Sequence, residues 1–254
     1  MLRTRVIPVL LLREDSLVKT VRFKSPTYVG DPSNTVRIFN EFEVDELILL
    51  DTTATVDGRE PNIELLKSVA NESFMPLAYG GAIRTVEQAK TILGIGFEKV
   101  VVNSAALQRP ELISELAERF GSQAVIVSVD VRRRLFGRQA VVGRSATQST
   151  ALDPVHWSQR AQALGAGELL ITSVDREGTW TGFDLDLLRA VTGAVTVPVI
   201  AHGGAGSVSD IGQAVRDGGA SAVAVGSMVV FQKQGMGVLV NFPAPGDLAE
   251  ALRG

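Results

Sequence analysis

The chain has no cysteine. That excludes disulfides, thiol nucleophiles and thiolate metal ligands, and it fits a reducing compartment. Histidine is nearly as scarce. His156 and His202 are the only two and lie far apart, so a histidine-based metal site is not expected, nor is a cofactor. Neither sign of charge is in large excess. The 25 Lys and Arg set against 28 Asp and Glu leave a formal charge of −3, which gives nucleic acid no electrostatic hold. The apolar stretch at the start, Met1–Leu12 with Arg3 and Arg5, is too short to span a membrane, and no small-residue cleavage pattern follows it. These absences point to a soluble cytoplasmic protein that handles small molecules. Apolar residues, by contrast, are plentiful: 254 residues at 45% hydrophobic content can bury the core of two small domains or of one barrel.

One stretch organises the rest. Val197–Ser207 reads V-P-V-I-A-H-G-G-A-G-S, and its twin Met75–Thr85 reads M-P-L-A-Y-G-G-A-I-R-T. In each, proline opens a short apolar run, two glycines close it, and a helical pattern follows. Val86, Ala89, Ile92 and Leu93 lie on one face of the first helix. Val208, Ile211, Ala214 and Val215 do the same in the second, each 122 positions further on. Paired glycines between strand and helix let a ligand approach the backbone N–H groups at the helix start, a place suited to phosphate. The structural alternative is a tight strand-to-helix turn.

Eight apolar runs recur in this manner: Val6–Leu12, Glu46–Leu50, Pro76–Ala78, Val100–Val102, Ala124–Val129, Leu169–Thr172, Val197–Ala201 and Ala222–Val225. They do not alternate apolar with polar, as expected of parallel strands covered on both faces. Helical patterns lie between them. In Pro110–Phe120, proline opens the helix and Leu112, Ile113, Leu116, Ala117 and Phe120 form its buried face. The eighth helix is reduced to Asp247–Arg253. Eight strand–helix units predict an α/β fold, a (β/α)8 TIM barrel. The matches Glu46-Leu47-Ile48-Leu49 with Glu168-Leu169-Leu170-Ile171, and Asn103-Ser104 with Gly226-Ser227, keep an offset of 122–123 residues. One barrel domain over 1–254 follows, built of half-barrels at about 1–121 and 122–254.

In such a barrel the chemistry sits at the C-terminal strand ends. Gly80, Gly81 and Ala82 with Asn103 and Ser104 make one candidate anion pocket. Gly203 and Gly204 with Gly226 and Ser227 make the second, across the mouth, so a substrate with a phosphate at each end is expected. Asp130 ends the fifth run and is placed to act as general acid or base, unless it caps a helix or pairs with Arg132–Arg134. Its half-barrel counterpart is Leu11, which cannot move a proton. Asp51, Thr172, Asp175, Arg176 and Glu177 are further polar groups at strand ends, and His202 precedes the second glycine pair. At the opposite end Arg5, Glu46, Lys99 and Glu168 open four strands, two cations and two anions. On physical grounds alone they read as a salt-bridged plug.

These segments together resemble the cyclase subunit of imidazole glycerol phosphate synthase. The likeness is carried by Arg5-Val6-Ile7-Pro8, D-E-L-I-L-L-D at 45–51, G-G-A-I-R-T at 80–85, N-S-A-A at 103–106, F-G-S-Q at 120–123, G-A-G-E at 165–168, D-R-E-G-T at 175–179 and V-I-A-H-G-G-A-G at 199–206. It runs from residue 1 to about 230. The resemblance implies a partner glutaminase docked on the N-terminal face of the barrel, with ammonia received through the barrel and a substrate carrying two phosphates. It implies catalytic roles for Asp130, for Lys19 as the loop lysine and for Asp51. Substrate and phosphate positions fall at Gly81, Ala82, Asn103, Ser104, Thr172, Glu177, Gly203, Gly204, Gly226 and Ser227. The ammonia gate falls at Arg5, Glu46, Lys99 and Glu168, which turns the plug into a gate.

The departures are specific. The family's catalytic pair falls at Leu11 and Asp130, so its first carboxylate is a leucine. Ala82 stands for a usual glycine, and Glu177 for a usual aspartate. Leu10-Leu11-Leu12, F-K-S-P-T-Y-V-G-D-P at 23–32 and V-L-V-N-F-P at 238–243 resemble a divergent branch linked to amidation of sugars in surface polysaccharides (lipopolysaccharide biosynthesis). That favours an ammonia-accepting synthase subunit acting on a phosphorylated or nucleotide-sugar substrate. The alternatives are a working cyclase of histidine biosynthesis and a non-catalytic ammonia channel or docking scaffold.

Overall fold

The computed structural model describes residues 4–134 and 137–253. Arg3, in the apolar stretch at the start, lies outside the described residues. In chain order the elements are β1 (Arg5–Arg13), β2 (Ser16–Val21), β3 (Lys24–Gly30), α1 (Pro32–Glu41), β4 (Leu47–Asp51), α2 (Ala54–Asp57), α3 (Ile63–Glu72), β5 (Leu77–Gly80), α4 (Val86–Gly94), β6 (Lys99–Val102), α5 (Ser104–Gln108) and α6 (Glu111–Phe120). A 3-10 turn over Ser122–Ala124 leads to β7 (Val125–Arg133), β8 (Gln139–Gly143), β9 (Gln148–Ser149), α7 (Pro154–Ala163), β10 (Glu168–Ser173), α8 (Leu185–Thr192), β11 (Val199–His202), α9 (Val208–Arg216), β12 (Ala222–Val225), α10 (Ser227–Val230) and α11 (Pro245–Leu252).

Eight of these strands close into a parallel barrel in the order β1, β4, β5, β6, β7, β10, β11, β12, and β12 returns to β1. The expected (β/α)8 TIM barrel is therefore the fold. Its strands bury both faces, which is why they read as unbroken apolar runs. On β1, Ile7, Val9 and Leu11 point inside the barrel and join Ile48, Ala78, Val101, Ile126, Leu170, Ile200, Ala222 and Ala224. Val6, Leu10 and Leu12, of the other parity, pack outward with Val36, Leu66, Ile92, Leu116, Leu188 and Ile211 of the surrounding helices.

The repeat found in the sequence is kept by the elements. Helix α4 starts at Val86 and α9 at Val208; α1 starts at Pro32 and α7 at Pro154, each behind an aspartate N-cap (Asp31 and Asp153). Both glycine turns end in a capping box. Thr85 Oγ1 accepts from Gln88 N at 3.2 Å while the Gln88 side chain returns to Thr85 N. Ser207 Oγ accepts from Asp210 N at 3.2 Å while Asp210 returns to Ser207 N. Helix α6 begins one residue after Pro110, which is its N-cap rather than its first turn.

Two hairpins were not foreseen. β1 runs on into the antiparallel β2–β3 pair, and β7 into β8–β9. The turn between β2 and β3 has two central residues, Arg22 and Phe23, with φ of 55° and 61°. A two-residue hairpin turn wants positive φ at both places, normally supplied by Asn-Gly or Asp-Gly. Here the usual sequence signal is missing. No helix among the described residues is long and apolar enough to cross a membrane.

Because the two capping boxes are the same construction, Thr85→Ala and Ser207→Ala should cost about the same, each about 1 kcal/mol. Chemical denaturation of the two variants measures this. A loss confined to one of them would mean that the halves do not share their helix-start energetics.

Candidate functional site

The strand ends surround a cavity of about 540 Å³ at the mouth. One side of it is apolar: Leu11, Val18, Leu50 and Val101 line it, with Leu11 beside Leu50 in register. The other side is polar. Thr172 stands in register with Asp130 of β7 on one side and with His202 of β11 on the other, and all three line the cavity. Ser128 is two residues before Asp130, hence on the same face of β7, and its hydroxyl donates to Asp130 Oδ1 at 2.9 Å.

Burial pushes the Asp130 carboxyl up to about 6, against hydrogen bonds from Ser128 and Thr172 that favour the charged form. The same row holds His202 neutral. Burial, then the charge of Lys19, takes its imidazole down to about 3. Lys19, carried in on β2, is itself buried; desolvation lowers its pKa and the nearby Glu177 carboxylate works the other way. Its ammonium comes so near the end of β12 that a Cβ on Gly226 would stand 2.3 Å from Nζ.

The candidate phosphate residues divide into two groups. Gly81, Ala82, Asn103 and Ser104 line the cavity together with Arg84 and Arg144. Gly81 has φ of 145°, and a Cβ there would meet Asp51 Cβ at 2.6 Å, so no side chain fits. Ala82 has φ of 52°, left-handed backbone that suits the glycine it replaces, and its N–H is already given to Thr55 Oγ1 at 3.1 Å. Ser104 Oγ donates to Asn103 Oδ1 at 3.2 Å and accepts from Arg144 N at 2.9 Å. Gly203, Gly204, Gly226 and Ser227 lie outside this cavity. The 175–182 loop covers Gly204: Gly182 N donates to Gly204 O at 2.9 Å, and a Cβ on Gly204 would lie 2.2 Å from Gly182 O. Lys19 reaches Gly226. The structure thus opens the first pocket to the cavity and folds the 175–182 loop and Lys19 over the second.

Glu177 holds the β2–β3 hairpin down. Its carboxylate accepts from Thr20 Oγ1 and from Phe23 N, both at 3.0 Å, and its carbonyl accepts from Arg22 N at 2.9 Å. The two turn residues with positive φ are thus tied to one glutamate, which offsets their backbone strain. Asp51 lines the cavity too, but Oδ1 accepts from Thr53 N and Ala54 N at 3.0 and 2.9 Å and faces Arg59 at 3.6 Å. That oxygen is occupied with the start of α2.

At the other end of the barrel the four charges close a ring. Arg5 Nη1 lies 2.5 Å from Glu46 Oε2 and Arg5 Nη2 2.9 Å from Glu168 Oε2. Lys99 Nζ lies 2.8 Å from Glu46 Oε1 and 3.0 Å from Glu168 Oε1. Burial disfavours the Arg5 charge, but hydrogen bonds and charge from Glu168 and Glu46 outweigh it and leave its pKa raised. Each cation touches both anions, so the ring is neutral as a unit.

Sequence reasoning passed over Ser128, Thr20, Arg84 and Arg144. Ser128 had a visible signal, as the one hydroxyl inside the apolar run before Asp130 and two residues from it. Thr20 and Arg144 had none, because their positions depend on the two hairpins.

The profile of the histidine biosynthesis protein family matches residues 5–234. The chain is 48% identical over 243 residues to “Putative imidazole glycerol phosphate synthase subunit hisF2” of Pseudomonas aeruginosa, covering 96% of this chain and 97% of that one. It is 46% identical over 253 residues to “Putative imidazole glycerol phosphate synthase subunit hisF3” of Vibrio vulnificus, with 99% and 97% covered. It is 42% identical over 228 residues to “Imidazole glycerol phosphate synthase subunit HisF” of Alkaliphilus metalliredigens, with 90% of each covered.

The raised Asp130 pKa carries a stability cost with a definite sign. From its ordinary 3.8 the carboxyl moves to about 6, so between those values the folded chain binds a proton that the unfolded chain has released. The cost of the buried carboxylate is absent below about pH 4, grows through the window and is full above about pH 6. Asp130→Asn should therefore stabilise the chain on the order of 2 kcal/mol at pH 7.5 and by almost nothing at pH 4. Urea unfolding at the two pH values checks this; equal gains at both would mean that burial of the charge is not the cause.

Proposed function

The chain belongs to the histidine biosynthesis protein family, and from that premise we propose that it is the ammonia-accepting synthase subunit of a glutamine amidotransferase pair. In this reading the glutaminase docks on the N-terminal face, around Glu98 and Lys99. The observation that carries it is the closed ring of Arg5, Glu46, Lys99 and Glu168 beneath an apolar barrel interior that leads to a polar cavity. A neutral ring passes ammonia when one side chain swings aside, and an apolar interior keeps it unprotonated. At the mouth, ammonia that adds to a carbonyl carbon of the acceptor sends the C=O π pair onto the oxygen and leaves a positively charged nitrogen, and Asp130 is the group to take its proton. Above pH 6 it is mainly carboxylate. Arg84, Arg144, Asn103 and Ser104 hold the anionic end of the acceptor.

We further infer that the chain has diverged from cyclisation toward amidation of a surface-polysaccharide sugar, on a phosphorylated or nucleotide-sugar acceptor. Leu11 supports this, since it fills the place of the first acid–base carboxylate with an apolar side chain packed on Leu50. The numbered names hisF2 and hisF3 of two relatives fit paralogues. Authentic cyclisation is the second reading, favoured by the retained Asp130 and the open first pocket.

Two measurements test these proposals, the first separating the two readings and the second testing the gate. With ammonium supplied directly, turnover of the histidine-pathway substrate should fall roughly 10²–10⁴-fold below that of a cyclase with both carboxylates. Turnover close to the ordinary rate would establish the second reading and make Leu11 irrelevant to mechanism. Lys99→Ala tests the gate in the complex with the glutaminase. The glutamine-dependent reaction should fall or leak ammonia while the ammonium-dependent one changes little. Equal loss in both assays, tracking a lower Tm, would return the ring to a purely structural role.

A further inference from the structure

We propose that His202 is a positioning residue for Asp130, acting through the hydroxyl of Thr172. The proposal rests on Asp130 as the acid–base group, but its geometry stands by itself. Three adjacent strands end in one row: Asp130 on β7, Thr172 on β10 and His202 on β11 are successive partners in register. Thr172 and His202 are buried, and Thr172 Oγ1 lies 3.1 Å from His202 Nδ1.

The direction of each proton follows by elimination. A threonine hydroxyl has one proton to give. Ser128 Oγ donates to Asp130 Oδ1 at 2.9 Å, and the Thr172 hydroxyl, in register beside it, favours the charged carboxylate, which has no proton to return. The Thr172 proton therefore points at Asp130, and the Thr172 oxygen must accept from the imidazole. A neutral imidazole has one N–H, so it sits on Nδ1 and leaves Nε2 as an acceptor. Burial and the neighbouring Lys19 charge keep the ring neutral. His202 thus prevents the Thr172 hydroxyl from turning away, and a fixed donor holds the Asp130 proton affinity lower than burial alone would set it.

The other groups around Asp130 do not supply this. Ser128 donates to it directly from the same strand. Across the cavity lie Asp51 and Glu177, engaged with α2 and with the hairpin, and Arg13, Arg84 and Arg144. Lys19 acts on the ring. Leu11 and Val101, which also line the cavity, carry no charge. With a leucine at position 11, a histidine two strands from Asp130 becomes a means of adjusting that carboxylate.

The test reads proton positions in the full chain and needs no known substrate. Nitrogen-15 NMR of the unmodified protein should find the His202 proton on Nδ1; a proton on Nε2 would overturn the proposal. The Asp130 titration, followed by carbon-13 NMR, should move upward by roughly half a pH unit to one in His202→Ala. His202→Asn, whose amide N–H can replace Nδ1–H, should leave it near the original value. Thr172→Val should raise it as His202→Ala does, and adding His202→Ala to Thr172→Val should change nothing more. An Asp130 midpoint unmoved in His202→Ala, or a His202→Ala shift that persists without the Thr172 hydroxyl, would also sink the idea. Turnover undiminished in Asp130→Asn would instead remove the acid–base reading and leave the hydrogen-bond row standing.

Discussion

The pairing of β7 with β10 is the constraint on which both ends of the barrel depend. It closes the sheet, and its register sets Glu168 against Ile126, Leu170 against Ser128 and Thr172 against Asp130. Alternation then fixes what each strand shows to the interior. On β10 the inward residues are Glu168, Leu170 and Thr172: a ring charge, a core side chain and a mouth hydroxyl. On β1 they are Arg5, Ile7, Val9 and Leu11; on β7 they are Ile126, Ser128 and Asp130. A slip of one residue would turn all of these outward together. The ring below, the apolar middle and the polar row above are three levels of one register.

That layering also explains why charge is tolerated at both ends. At the ring, two cations and two anions satisfy one another, so nothing is left unpaired in a narrow space. At the mouth the solution is different. Among the described residues no cation pairs with Asp130, and the hydroxyls of Ser128 and Thr172 offset the cost of burying it. The first arrangement pairs each charge with two of the opposite sign, while the second buries a carboxyl whose pKa is pushed up to about 6. Those opposite properties fit the proposed gate and the proposed proton acceptor.

Much of this was legible in the sequence because it rests on periodicity. The eight strands, the offset of about 122 residues, the pairing of Asn103-Ser104 with Gly226-Ser227 and the four ring charges all follow from spacing along strands and helices. The β2–β3 hairpin was not legible, because its turn is made by Arg22 and Phe23 in left-handed backbone with no glycine or asparagine to announce it. Everything that depends on it was hidden with it: the approach of Lys19 to Gly226 and the tie from Glu177 to Thr20. Local propensity did not set that turn. Contacts with a residue some 150 positions away did.

Leucine at position 11 does more than remove a proton carrier. Two carboxylates in one buried cavity raise each other's affinity for the first proton, so their titrations belong to the pair and spread apart. With Leu11 packed against Leu50, position 11 adds no such coupling. Asp130 responds to burial first and then to Ser128 and Thr172. Burial, offset by two hydroxyls, brings the Asp130 midpoint to about 6. An enzyme that protonates and deprotonates in successive steps gains from a split pair. A site that must only accept one proton from an incoming amine needs a single base poised near the pH of its surroundings, and Asp130 with an apolar residue at position 11 fits that simpler requirement of the proposed amidation.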